Sequence, residues 1–575
     1  MIGLSLLDLI ILIGYFAVII LVGVISTRLI RSREDYLMGG RRFGKLLMVF
    51  FTFGSGTHAD SAVGVTAQSY KVGLSGIWYQ WVMLLTLPLY WLLAPVFRRA
   101  RVMTTADYFE RRFGEQFALL YAVFGLFVCI TFTSVGLYGS SQLVEALTKN
   151  TLDWRLIAVV MGIFSFVYGI TGGLIATVWN DCFQGILTIV MSLLIIPFFW
   201  HHIGGQAGFQ RALPDPYQAF SLVLSKDMTL YWIIMMSINS LASMVAQPHI
   251  MSNIGAGKSE MDSRCGFVGG MILKRILTVP WALTGVMAIA MFGVGHIKPD
   301  HAFGVMAREL LPNGFSGLMV ACVLASTMNN KSVLMLSFSG IYTNSIHKKI
   351  WPHLSDEGYL LRLSRWISIV FAIITITLTL VFRDMTAAMR FTWLTVPLMG
   401  IPFFLGLLWK RANRYGAFAS FLFALAAMLI GKYVFNWDGD AGLPKNIALF
   451  LSTGITGGVL VSLVTAPEPR RKIEQFFLLL RTPIGQEDLL RRAGLTQIPG
   501  TGTFEYVCED VPKAAKLADA KFPGPTTEAE EIACLEPDLR QSRKESRIGA
   551  GVMLLVTLGM LAAVICMANW LRGGR

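Results

Sequence analysis

The 575-residue chain is 54% hydrophobic and only 15% charged, and its mean hydropathy is +0.60. An average soluble domain is about 45–50% apolar and about 25% charged, so this chain has too few charges to cover a globular surface of its size. Disorder, a disulfide scaffold and a soluble single-core enzyme are excluded, leaving an all-α polytopic membrane protein. The net charge of +14, from 49 Lys+Arg against 35 Asp+Glu, would suggest nucleic acid in a soluble protein. Here basic cytoplasmic loops explain it better, and no nucleic-acid partner is expected. The cysteines show no C-x-x-C spacing, so no metal site or disulfide framework is read.

A run of about 20 apolar residues crosses a bilayer as a helix. The first such run, near 4–27, lacks a basic leader and carries Asp8, so it reads as a retained span and not as a signal sequence. Continuing along the chain gives about fourteen spans, near residues 5–27, 46–70, 76–97, 117–147, 154–172, 174–200, 229–252, 266–295, 314–343, 364–383, 388–409, 415–436, 446–466 and 548–571. The loops after the odd-numbered spans are basic, with Arg28 to Lys45, Arg98 to Arg112 and Lys410 to Arg414 among them. The loop near 201–228 holds only Arg211 and Lys226. The positive-inside bias then puts both termini outside. The polar, turn-rich stretch 467–547 reads as a cytoplasmic connector. Its piece Arg471 to Arg481 fits an amphipathic surface helix, although a solvated connector is the favoured reading.

Polar groups at membrane depth are costly and mark function. In the second span, Gly54-Ser55-Gly56 is an expected helix break, followed by Thr57, His58, Asp60 and Ser61. Small-residue packing would explain the glycines but not His58 and Asp60. In the sixth span, Asp181 follows Gly172-Gly173 by two turns and faces either a cation pathway or an interfacial Arg or Lys. The seventh span carries Ser237, Asn239, Ser240, Ser243, Gln247, Pro248 and His249, which fits either a second broken helix or interhelical hydrogen bonding. The ninth span reads Ala325-Ser326-Thr327-Met328-Asn329-Asn330-Lys331-Ser332, and its lysine needs a counter-charge or a water cavity.

These stretches resemble the sodium:solute symporter family, which includes sodium-coupled sugar and proline transporters. The resemblance is carried by Arg33-Glu34-Asp35-Tyr36-Leu37-Met38-Gly39-Gly40-Arg41, by Gly64, Tyr70 and Gly73, and by Gly172-Gly173…Trp179-Asn180-Asp181…Gln184. Pro299-Asp300…Leu311-Pro312…Gly317-Leu318…Ala325 and Pro397…Trp409-Lys410-Arg411…Gly416-Ala417 complete it, over roughly 5–480. It implies a leucine-transporter-like core of two inverted five-helix repeats, spans two to six and seven to eleven, working by alternating access. The expected organisation is 1–45, first helix and loop; 46–409, ten-helix core; 410–466, two accessory helices; 467–547, connector; 548–575, last helix.

The resemblance also implies a sodium site joining the second and ninth spans near the sixth-span aspartate. Gly54, Thr57 and Asp181 match it by position. The family's ninth-span hydroxyl pair corresponds either to Asn329 and Asn330 or, with a three-residue shift, to Ser326 and Thr327. Amide oxygens can bind a hard cation, whereas the neighbouring Lys331 would repel one or stand in for it. Ser55, His58, Asp60, Asn239 and Gln247 are the expected solute contacts.

The expected function is therefore symport of a small organic solute coupled to a cation, sodium foremost, in the cell membrane, with no other cofactor. Proton coupling or sodium-independent transport through His58, Asp60 and Lys331 is the alternative, and a transporter-like membrane sensor is a further one. No P-loop, metal-ligand spacing or nucleophile–base set points to an ATP-driven pump or an enzyme. Solute identity and oligomeric state are not read from the sequence.

Overall fold

The computed structural model describes residues 6–573 apart from 29, 31–32, 42, 58, 149–150, 225–227, 313, 355, 382–384, 438, 440 and 485–524. Its main helices are α1 (Leu6–Thr27), α2 (Lys45–Gly56), α3 (Ala59–Val72), α4 (Leu87–Arg99), α5 (Thr105–Phe113), α6 (Glu115–Leu147), α7 (Trp154–Ile203), α8 (Leu230–Ala246), α9 (Pro248–Gly255), α10 (Glu260–Phe292), α11 (Ala302–Leu310), α12 (Phe315–Ile341), α13 (Glu357–Val381), α14 (Met385–Thr395), α15 (Gly400–Leu408), α16 (Arg414–Tyr433), α17 (Leu443–Val464), α18 (Arg470–Arg481) and α19 (Pro525–Arg572). A backbone in hydrocarbon must satisfy its own hydrogen bonds, which selects helices.

Among the described residues, nine helices are long and apolar enough to cross a membrane, and α8 with α9, bent by 66°, makes a tenth. Of the remaining expected spans, the ninth is the continuous helix α12, and the others take other forms. The second is split between α2 and α3, and the third between Trp78–Trp81 and α4. The fifth and sixth share α7, which is broken at Gly173 (φ 52°, ψ −151°). A Cβ on Gly173 would lie 2.6 Å from the Tyr36 ring and 2.7 Å from the Tyr36 carbonyl oxygen. The break is therefore where the short helix Arg33–Met38 docks, and two of the sequence stretches noted above meet there.

The eighth-span helix α10 packs tightly on the broken second span. Gly266 and Gly270 form a small-xxx-small stripe. Cβ atoms there would fall 2.2 Å from Met48 Cβ and 2.7 Å from the Phe53 backbone nitrogen. Because the atoms facing Gly270 include fixed backbone, Gly270→Val is expected to destabilise by about 3 kcal/mol or more, the upper part of the overpacking range. Thermal unfolding in detergent reads this directly, and an unchanged midpoint would refute the packing argument.

The basic loops meet at one end of the molecule. Arg41 donates to the Gly255 and Val102 carbonyls at 3.0 and 3.3 Å, and Arg98 to Gly257 at 3.1 Å. Arg99 forms a two-pronged pair with Glu260 at 2.9 and 2.8 Å. Lys349 pairs with Glu110 at 3.0 Å. Arg41 and Arg98 thus end on carbonyls at the C-terminus of α9, where a cation is favoured, while Arg99 and Lys349 end on carboxylates. At the other end, the Asp8 carboxylate accepts the Gly314 and Gly317 N–H groups at 3.0 and 2.7 Å, capping α12. Phe198 packs against Phe315 there, and Arg572 donates to Phe220 at 2.7 Å.

The solvated-connector reading of Arg471 to Arg481 is corrected. This segment is the amphipathic helix α18, with Phe476, Leu479 and Leu480 buried. Arg101 donates to the carbonyls of Thr482 and Pro483 just beyond it, at 3.3 and 3.0 Å. An apolar stripe on one face of a helix is buried wherever a partner surface is available.

Candidate functional site

Two helix breaks face one cavity. α2 ends at Thr57, whose backbone is extended (φ −127°, ψ 116°). The glycine-rich break expected at Gly54-Ser55-Gly56 therefore falls slightly later, and those three residues form the last turn of α2. The Gly54 carbonyl still accepts the Thr57 N–H at 3.3 Å. The Gly56 carbonyl is met instead by the Lys274 ammonium, which supplies the partner that a helix end lacks. In the seventh span, Gln247 is extended (φ −70°, ψ 128°) between α8 and α9. Asn253 on α9 donates its amide to the Ser55 hydroxyl at 2.7 Å, so a side chain from each broken span holds the other.

A cavity lies between them. α2 and α3 supply Thr52, Ser55 and Ser61, while α8 and α9 supply Ser243, Gln247, His249 and Asn253. α12 supplies Asn330 and Lys331, and α10 supplies Lys274 and Arg275. Apolar lining comes from Phe132, Val135, Phe267, Met271 and Trp393 among others. A concave, mostly apolar space with a few converging polar groups is the usual form of a small-molecule site.

Of the residues singled out from sequence, Ser55, Gly56, Ser61, Ser243, Gln247, His249, Asn330 and Lys331 line this cavity. Asn330 Oδ1 and the Thr52 and Thr57 hydroxyls are buried without a hydrogen-bond partner. Gly54 and Thr57, at the α2 break, are both buried and stand outside the cavity lining. Asn239 stands behind the lining, its amide donating to the Trp393 carbonyl at 3.0 Å. Asp181 is fully buried outside the cavity lining. One turn further along α7, Gln184 donates to the Tyr15 hydroxyl at 3.1 Å, and that hydroxyl reaches Met328 Sδ on α12 at 3.5 Å. Asp181 thus neighbours the contact between α1, α7 and α12. His58 and the side chains of Asp60, Ser326, Thr327 and Asn329 lie outside the described residues.

Sequence reasoning missed Lys274 and Arg275. Their signal was available: two adjacent cations interrupt the middle of the apolar run 266–295. It also passed over Gln80 and Asn253, which look ordinary until the cavity is seen.

The sequence model of the Sodium:solute symporter family matches residues 36–424. A sodium/glucose cotransporter of Vibrio parahaemolyticus is 24% identical over 477 residues, covering 75% of this chain and 86% of its own. An osmoregulated proline transporter of Bacillus subtilis (strain 168) is 25% identical over 475 residues, covering 78% and 93%. Among solved structures, a substrate-bound, outward-open Na+-coupled sialic acid symporter superposes with a TM-score of 0.72 at 18% identity, covering 81% of this chain and 99% of that one. The nucleobase-cation-symport-1 family transporter Mhp1, in a closed conformation, gives 0.52 at 11% identity, covering 77% and 98%. At these identities the structural likeness shows a shared fold.

Proposed function

Because the chain belongs to the sodium:solute symporter family, we propose that the cavity between its two broken spans is the solute site of a Na+-coupled symporter working by alternating access. The observation that carries this reading is the pairing of the breaks. They fall in the second and seventh spans, and the Asn253–Ser55 hydrogen bond joins them at the cavity wall. Paired interrupted helices in corresponding halves are the strongest sequence pointer to a transporter's binding site. The fourteen-span topology, with inverted repeats over spans two to six and seven to eleven, belongs to the same proposal.

The cation site is read at the second-span break. The Gly54 and Thr57 carbonyls supply hard oxygen ligands, with Asp181 as the nearby negative charge. Since Asn330 opens on the cavity, it is assigned with Ser55, Gln247 and Lys331 to the solute, together with His58, Asp60 and, in support, Asn239. Ser326 and Thr327 then remain as the hydroxyl pair for the cation, with Asn329 as the alternative. The gathered basic loops are assigned to the cytoplasm by the positive-inside bias, which puts both termini outside.

Uptake into proteoliposomes tests the coupling. An inward sodium gradient is expected to drive accumulation of the solute, and a pH gradient in its place is not. If sodium alters neither rate nor affinity for any transported solute, the coupling assignment falls.

A further inference from the structure

α10 carries Lys274 and Arg275 near its midpoint. A charge buried at that depth is costly unless it is paired or solvated. Lys274 reaches the Gly56 carbonyl and, at 3.4 Å, the Ser61 hydroxyl. Arg275 is held differently. Its side chain is 0% exposed. One terminal nitrogen donates to Gln80 Oε1 at 3.4 Å, the other meets Met83 Sδ at 3.1 Å, and Nε has no acceptor.

A thioether is a weak acceptor, and 3.4 Å is a long hydrogen bond. Among the described residues no carboxylate compensates this guanidinium. Its two acceptors, Gln80 and Met83, are themselves half-buried cavity-lining residues with long flexible side chains. Lys274, Lys331 and His249 line the same cavity, and none of its described lining residues is acidic. Beside Arg275 the described wall therefore offers apolar surface and no acidic group, the Asp60 side chain assigned to the same site lying outside the described residues.

We propose that the transported solute is an organic carboxylate, its anionic group docking on Arg275 and its apolar body lying against Phe132, Phe267 and Trp393. A guanidinium presents a planar fork that matches a carboxylate with two parallel hydrogen bonds. Docking replaces the marginal Gln80 and Met83 contacts with a charge-assisted pair. The assignment rests on reading the cavity as the solute site.

The test uses the full chain in detergent with sodium present. Its thermal unfolding is followed with acetate, butyrate, phenylacetate and gluconate, and with the primary amide of each. A bound solute stabilises the folded state by mass action. At least one acid is expected to raise the midpoint, binding about tenfold or more tighter than its amide. Arg275→Gln is expected to remove that preference, and Arg275→Lys to keep it at weaker affinity. Should Arg275→Gln fail to fold, the acid–amide comparison on the unaltered chain decides alone. The inference is overturned if amides bind as well as acids, or if no acid in the panel shifts the midpoint. Repeating the measurement with potassium in place of sodium separates the two readings. Acid binding indifferent to sodium would sink the coupling and leave the anion site. Sodium-dependent binding of the amides alone would do the reverse.

Discussion

Asp181→Asn is expected to raise the sodium concentration for half-maximal uptake at least about tenfold, or roughly 1.4 kcal/mol. Asp181 is completely buried in the second half of α7. It sits one turn from Gln184, whose neighbours Tyr15 and Met328 tie that face of α7 to α1 and α12. A unit charge about 5 Å from a bound cation contributes roughly 3 kcal/mol at an effective dielectric of about 20, so a loss of half that is a modest expectation. Asparagine keeps the volume and shape of the side chain, and the change therefore isolates the charge. Initial uptake rates measured against sodium concentration give the answer. An unaltered sodium dependence, together with a lowered unfolding temperature, would make Asp181 a structural residue.

The second large effect is on stability. Arg112 lies on α5, outside the spans, and is 1% exposed. Its guanidinium donates to the carbonyls of Gly406, Trp409, Ala412 and Lys410 at 2.8, 3.0, 2.9 and 3.3 Å, and it lies 4.9 Å over the Phe113 ring. It thereby closes the carbonyl end of α15 and the turn that leads into α16. Hydrogen bonds to a charged group contribute about 1.5–3 kcal/mol each, and unmet buried acceptors carry a further penalty. Arg112→Ala is accordingly expected to cost about 3–5 kcal/mol, read as a fall of several degrees in the unfolding midpoint. Arg112→Lys should recover little, because a compact ammonium cannot span four carbonyls. Both variants melting with the parent chain would refute this.

The candidate site was legible in part. The seventh-span break was visible because proline after a polar run interrupts a helix, and Gln247 lies where that pattern put it. The second-span break was placed slightly early. Glycine lowers the cost of ending a helix, but the actual end depends on which carbonyl finds another donor. Here that donor is Lys274, more than two hundred residues away. Lys331 was conspicuous within an apolar run. Lys274 and Arg275 were equally so, but went unweighed because no familiar motif surrounds them.

What the sequence determined by itself is the membrane class, the order of the apolar runs, the two interrupted helices and the family. All of these depend on local composition, and the bilayer imposes the same length and polarity on every span. Only the tertiary structure decided what the charges do. The +14 excess reads from sequence as a signal of orientation, yet Arg41, Arg98, Arg101 and Arg112 are buried and bound to backbone carbonyls far away in the sequence. Arg275, identical to them in composition, has no such carbonyls and lines the cavity instead. A charge's role depends on the groups within hydrogen-bonding range, and those neighbours are brought together only by packing.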